Sequence, residues 1–144
     1  MQKCGECNLC CKLLDIDEVN SKHNEWCVHC VQKVGCMIYE KRPDECKNFN
    51  CAWSQMDYAG IEMRPDKCGA LFEKFTDHLI VGVTGGLMTS LVSGQIDFFV
   101  RENISVMVLN HANKSKKFFF AEGHDKTFVE KQINDNSELH RRFN

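Results

Sequence analysis

The chain has no long apolar run. Nothing in its 144 residues approaches the roughly 18 consecutive apolar residues that a membrane-spanning helix needs. It also lacks an excess of either charge. The formal net charge is −2, with seven Lys and Arg against nine Asp and Glu up to Gly60 and eleven against eleven after it. Neither half is a basic module, so no global attraction to nucleic acid or to an anionic membrane is expected. There is no His-Glu-x-x-His pair, and Gly82-Val83-Thr84-Gly85-Gly86 fits neither a phosphate-binding loop nor a dinucleotide fingerprint. No Ser or Cys nucleophile can be matched to a base, so catalytic residues are not assigned. Internal repeats and low-complexity segments are absent. The residues leading to Cys4 contain no apolar segment of the secretory kind, and the cytoplasm is the expected compartment.

Cysteine is what the chain does have. Nine of its ten cysteines fall within the first 51 residues: Cys4, Cys7, Cys10, Cys11, Cys27, Cys30, Cys36, Cys46 and Cys51. In a reducing compartment, cysteine at this density points to metal binding or redox chemistry rather than to disulfides. A tetrahedral thiolate site needs sulfurs about 2.3 Å from the metal, and two cysteines separated by two residues in a turn supply half of one. Cys4/Cys7 and Cys27/Cys30, with nineteen residues between the pairs, read as a four-cysteine zinc site. Cys10, Cys11, Cys36, Cys46 and Cys51 then remain for a second centre. Cys4-x-x-Cys7-x-x-Cys10 also equals the first three ligands of a bacterial ferredoxin run, although Cys11 follows where the fourth spacing should begin. Zinc, as one or two ions, is therefore favoured, and a [4Fe–4S] cluster is the alternative. Isolated Cys68 reads as a small buried hydrophobe. A thioredoxin-like redox pair would want Cys-x-x-Cys beside a βαβ pattern, and no such pattern is read here.

The remainder reads as α+β. A short helix is expected from about Pro43, with Pro in its first turn and Asp44 and Glu45 against the positive end of the dipole. Two β-prone runs up to Phe75 and from His78 to Val83 form a hairpin. An amphipathic helix follows over 87–103, and strands over 104–109 and 117–121. The expected organisation is a metal-stapled, Cys-rich lobe (1–55) packed on a small antiparallel sheet with one main helix in the order strand–strand–helix–strand–strand (56–124). A polar tail (125–144), with a frayed helix over Thr127 to Gln132, completes it.

The first fifty residues resemble the YkgJ-type zinc- or iron-chelating domain family, known by its Cys-x-x-Cys-x-x-Cys-Cys signature. The matching residues are Cys4, Cys7, Cys10 and Cys11, then Cys27, then Gly35-Cys36-Met37-Ile38-Tyr39-Glu40-Lys41-Arg42-Pro43, Cys46, Phe49 and Cys51, about a third of the chain. The resemblance implies eight ligands, Cys4, Cys7, Cys10, Cys11, Cys27, Cys36, Cys46 and Cys51, enough for two four-thiolate sites or for one cluster and one zinc. Cys30 stands outside that pattern and has spacing alone behind it.

Arg42 is a candidate to offset thiolate charge. Tyr39, Trp26 and Trp53 flank cysteines and are expected to pack around the centre. His29 and His23 could replace a cysteine in a mixed site. Lys114, Lys116 and Lys117 before Phe118-Phe119-Phe120 read as a lysine-rich turn leading into a strand rather than as a nucleic-acid surface. The functional expectation is a cytoplasmic metal-binding protein with an unidentified protein partner and no membrane or nucleic-acid role. The alternatives are an iron–sulfur redox or electron-transfer module and a zinc-ribbon-like adaptor.

Overall fold

The computed structural model describes residues 4–49, 51–57, 59–86 and 88–137. Elements are short up to position 55: α1 (Cys10–Leu13), a hairpin of β1 (Cys30–Val31) and β2 (Gly35–Cys36), α2 (Asp44–Asn48) and α3 (Ala52–Gln55). Then come the short α4 (Pro65–Cys68) and the longer β3 (Ala70–Thr76), β4 (Leu79–Thr84), α5 (Ser90–Arg101), β5 (Ser105–Asn110), β6 (Ser115–Phe119) and α6 (Lys126–Asp135). The architecture is α+β, with a four-stranded sheet in sequence order β3-β4-β5-β6 and a separate two-stranded one.

The order strand–strand–helix–strand–strand holds, but the expected antiparallel sheet is corrected to a mixed one. β3/β4 and β5/β6 pair antiparallel, whereas β4 and β5 pair parallel, Leu79 opposite Ser105 through Thr84 opposite Asn110. The reason lies in the connection. A hairpin returns through a few residues, but here the chain crosses the sheet through the twelve-residue α5 and re-enters in its original direction. β4–α5–β5 is thus a βαβ unit, contrary to the sequence reading, and neither Cys-x-x-Cys pair lies in it.

The stretch read as a polar tail opens with a second packed helix. Asp125 caps α6 by accepting the Phe128 N–H at 2.8 Å, and Val129 and Ile133 are buried. Its charged residues occupy the outer face, which is why the segment looks polar in sequence. Residues 138–144 of that stretch lie outside the described residues, as does Leu87, the expected first residue of the long helix.

Strand alternation sorts the core into layers. Phe72, Ile80, Val106 and Val108 face α5, where they meet Val92, Ile96 and Phe99. On the other face Leu79, Val81, Met107 and Leu109 pack against Val129 and Ile133 of α6. On that same face the cross-strand partners Leu71 and Val83 receive Leu13, Leu14, Ile16 and Trp53 from the Cys-rich lobe. All six residues of β4 are buried, as expected for a strand covered on both sides. Phe118 and Phe119 obey the same alternation, one beside α6 and one in the α5 layer. Phe120 is partly exposed and stacks on Phe118. Lys116 and Lys117 are exposed on β6, an edge strand, where lysines discourage pairing with other chains.

Gly82 shows how tight this packing is. A Cβ there would lie 2.6 Å from Cε1 of Phe72, the residue opposite it in the ladder. Phe72 cannot yield, being 2% exposed and edge-on to Phe99 at 5.6 Å. Gly82→Ala is therefore expected to destabilise the protein by about 1–3 kcal/mol, read as a lower urea midpoint at unchanged m-value. A midpoint equal to wild type would show that the ring has room to move.

Candidate metal centre

Each Cys-x-x-Cys pair forms a turn. The Cys7 N–H donates to the Cys4 carbonyl at 3.0 Å, and the Cys30 N–H donates to the Cys27 carbonyl at 3.0 Å. The loops are then tied together through the backbone. The Cys27 N–H donates to the Cys11 carbonyl at 2.8 Å, and Nδ2 of Asn8, itself buried, donates to the Val31 carbonyl at 3.1 Å. The β1/β2 hairpin sets Cys30 directly opposite Cys36. α2 carries Cys46 toward the same side.

The loops enclose a cavity of about 480 Å³ onto which Cys4, Cys7, Cys10, Cys11, Cys27, Cys36 and Cys46 open. Cys30 does not line it, but it stands opposite Cys36 in the hairpin and close enough to Cys11 for that thiol to raise its pKa. Cys51 is buried and faces Cys4 closely enough to raise the Cys4 pKa. Cys68 is elsewhere, 2% exposed, with its sulfur 3.4 Å from the Ala70 carbonyl. No cysteine is bridged to another.

Electrostatics divide the nine into two neighbourhoods. The Cys46 thiol is pushed up to about 11, by burial first and then by Cys11, Cys27 and Cys36. Cys30 is pushed up to about 12, by burial and then by Cys11, with smaller contributions from Cys27 and Cys36. Cys11 is raised furthest, through its hydrogen bond with Cys10, then burial. The other neighbourhood holds Cys4, raised by burial and then by Cys51, and Cys7, pushed up to about 11 chiefly by burial. Arg42 opposes these shifts at Cys4, Cys11 and Cys46, in line with its expected role of offsetting thiolate charge. Its guanidinium also lies 3.7 Å over the Tyr39 ring, and Nε donates to the Tyr39 carbonyl at 2.8 Å.

Among the described residues, no three Cys, His, Asp or Glu side chains stand in an arrangement that would hold a metal ion as they are placed. The donor chemistry nonetheless fits one. Clustered, part-buried thiols resist ionising together, and a bound cation reverses that by displacing their protons. Of the other candidates, His29 lines the cavity, and Trp53 packs in the core with Nε1 donating to the Gly60 carbonyl at 3.0 Å. Tyr39 is exposed beneath Arg42 instead of packed. Trp26 is half-buried, with Lys12 above its ring.

Two groups of residues beside the site went unread in the sequence. Arg64 is buried, pairs with Asp66 through its Nε–Nη2 edge and reaches the first cysteine loop through Nη1. No spacing rule links positions 64 and 4. The second is a histidine stack. His23, a candidate ligand, lies instead 4.1 Å from the His111 ring and nearly parallel to it. Its Nδ1 is hydrogen-bonded to the Leu13 carbonyl at 3.2 Å, and its Nε2 is 3.7 Å from Asp15. This stack joins the Cys-rich lobe to the residue after β5, beside Gly85, where a side chain would run into Asn24.

Compared with models of protein families, with curated proteins and with solved structures, the chain matches none. No helix among the described residues is long and apolar enough to cross a membrane.

The histidine stack makes lobe docking sensitive to acid. Burial, and then His23, hold the His111 imidazole below the usual histidine range, with Asp15 acting in the opposite direction. The fold thus favours neutral His111, while the unfolded chain takes up the proton near about pH 6.5. The resulting stability is fully present above that value and is lost as the pH falls toward the lowered folded pKa. The urea midpoint should drop between about pH 7.5 and 5.5, and less steeply in His111→Phe, which keeps a ring in the stack but cannot titrate. Parallel slopes in the two proteins would place the acid sensitivity elsewhere.

Proposed function

We propose that this chain is a metal-binding protein whose Cys-rich lobe holds one or two cysteine-thiolate centres, with zinc the favoured metal. One observation carries the reading: seven cysteines from four separate stretches of the chain open on a single cavity, and Cys30 and Cys51 stand next to cysteines that do. Cys11, Cys27, Cys30, Cys36 and Cys46, with Cys10, would supply one centre. Cys4, Cys7 and Cys51 would contribute to the other. This grouping assigns Cys30, which had only spacing in its favour, to the same neighbourhood as Cys36 and Cys46.

A zinc ion bound here would draw the sulfurs together and hold loops that have little regular structure of their own. The chain's residues contribute the rest: turn geometry from the two Cys-x-x-Cys pairs, charge compensation from Arg42, and an apolar floor from Leu14 and Ile16. A second reading rests on the same thiolates: the cavity of about 480 Å³ leaves room for a [4Fe–4S] cluster, which would make the protein a redox or electron-transfer module. The expectations of a cytoplasmic setting and an unidentified protein partner belong to the same proposal. Exposed Val28, Val34 and Met37 on the cysteine loops are in keeping with such a partner. A zinc-ribbon-like adaptor for nucleic acid has less support, since Lys116 and Lys117 lie on the sheet edge opposite β3.

Anaerobic purification with metal analysis and a visible spectrum decides between the metals. Colourless protein with zinc and no iron, even after anaerobic reconstitution, is expected. A stable visible band with acid-labile sulfide would establish the cluster instead. Cys46→Ser should lower the metal stoichiometry while Cys68→Ser leaves it unchanged. Full-length protein that takes up neither metal would overturn the proposal.

A further inference from the structure

The Arg64–Asp66 pair lies outside the cysteine-rich stretch, yet it touches the first cysteine loop at several points. Arg64 Nε and Nη2 donate to the two carboxylate oxygens of Asp66 at 2.5 and 2.8 Å, a two-pronged geometry that fixes both planes. The Arg64 side chain is 9% exposed and that of Asp66 23%. The third guanidinium nitrogen, Nη1, donates to the Cys4 carbonyl at 3.3 Å. Asp66 also lies beside Cys7, close enough that its charge helps to keep the Cys7 thiol protonated. Between the two cysteines, Gly5 takes a left-handed φ of +56°, and a Cβ there would be 3.3 Å from Arg64 Nη1. The loop is therefore draped closely over the guanidinium, and a side chain at position 5 would be strained by its φ and would have to shift Arg64.

The base of this clamp is itself fixed. Pro65 opens α4 and Gly69 closes it in the left-handed conformation, the asymmetry typical of a short, well-terminated helix. β3 begins at the next residue. Arg64 and Asp66 are thus anchored to the sheet, while the cysteine loop has only a turn of its own.

We propose that Arg64 and Asp66 are positioning residues that hold the Cys4–Cys7 chelating turn against the sheet. Their role toward a metal rests on the metal-binding function proposed above. Partners of this kind orient a ligand without binding the metal, and losing them typically weakens metal affinity by about 10–100-fold.

The test uses full-length protein and two readouts. In the reduced, metal-free chain, alkylation at each cysteine is followed by peptide mass spectrometry. Arg64→Lys, which keeps the charge but loses the fork, and Asp66→Asn are both expected to accelerate alkylation of Cys4 and Cys7 and to leave Cys36, Cys46 and Cys68 at wild-type rates. Asp66→Glu should restore part of the protection. With zinc added, the same variants should lose about 10–100-fold in affinity for part of the bound metal, measured by chelator competition, while the remainder binds as in wild type. Equal acceleration at every cysteine would mean general destabilisation and would overturn the proposal, as would unchanged rates at Cys4 and Cys7. If wild-type protein binds no zinc, the metal-binding function fails, and the alkylation pattern alone still decides whether the clamp exists.

Discussion

The structure depends on one apolar contact, the seating of Leu13, Leu14, Ile16 and Trp53 on the Leu71–Val83 pair of the sheet. On the opposite face α5 covers the strands without help from the N-terminal lobe, apart from Ala52. On this face α6 covers only the part around Val81 and Met107. The rest would be open to water if the cysteine lobe did not lie there. A buried Leu or Trp side chain contributes on the order of 1.5–3 kcal/mol, so these residues are worth more than any hydrogen bond crossing the junction. Polar contacts such as the His23–His111 stack and the Arg64 clamp orient the lobe. The apolar contact holds it in place.

This division of labour explains which features were legible in the sequence. The β3/β4 hairpin could be read because β-branched and aromatic residues flank a short Asp-containing turn, which the structure places at Asp77-His78. α5 could be read because Val92, Ile96 and Phe99 recur at helical spacing. The parallel pairing of β4 with β5 could not, since both strands are apolar runs whose pattern is the same in either direction. Only the length of the crossover held a clue. α6 was legible only as a short, frayed helix over 127–132: two buried positions among ten residues, Val129 and Ile133, make a narrow stripe in a charged segment, so neither its full length nor its packing could be read.

The candidate site was legible in part for the same reason. Cys-x-x-Cys is a local signal, and both pairs do form the turns that their spacing implies. Cys68 reads as a lone hydrophobe and sits as one. What joins the loops to one another and to the sheet is not local. Asn8 bonds across 23 positions and Arg64 across 60, and such polar contacts leave no periodicity. His23 shows the opposite error: a histidine near cysteines suggested a ligand, but folding turned its ring toward His111.

The short elements of the lobe bear directly on why thiolate centres suit it. Its helices are four or five residues long and its strands two, far below the roughly 12–15 residues at which a helix begins to hold by itself in water. A lone two-stranded hairpin is similarly marginal. Leu13, Leu14 and Ile16 fasten only the start of this region to the sheet, and Trp53 only its end. Between them the chain passes through Val28, Val31, Val34 and Met37, all exposed, so no apolar core fixes the β1/β2 hairpin. The groups that do converge there are Cys27, Cys30 and Cys36, with Cys11 and Cys46 beside them, and as free thiols they attract one another only weakly. Tied to a common cation they would supply the cross-links that this middle section lacks, in the place where hydrophobic burial has the least to offer.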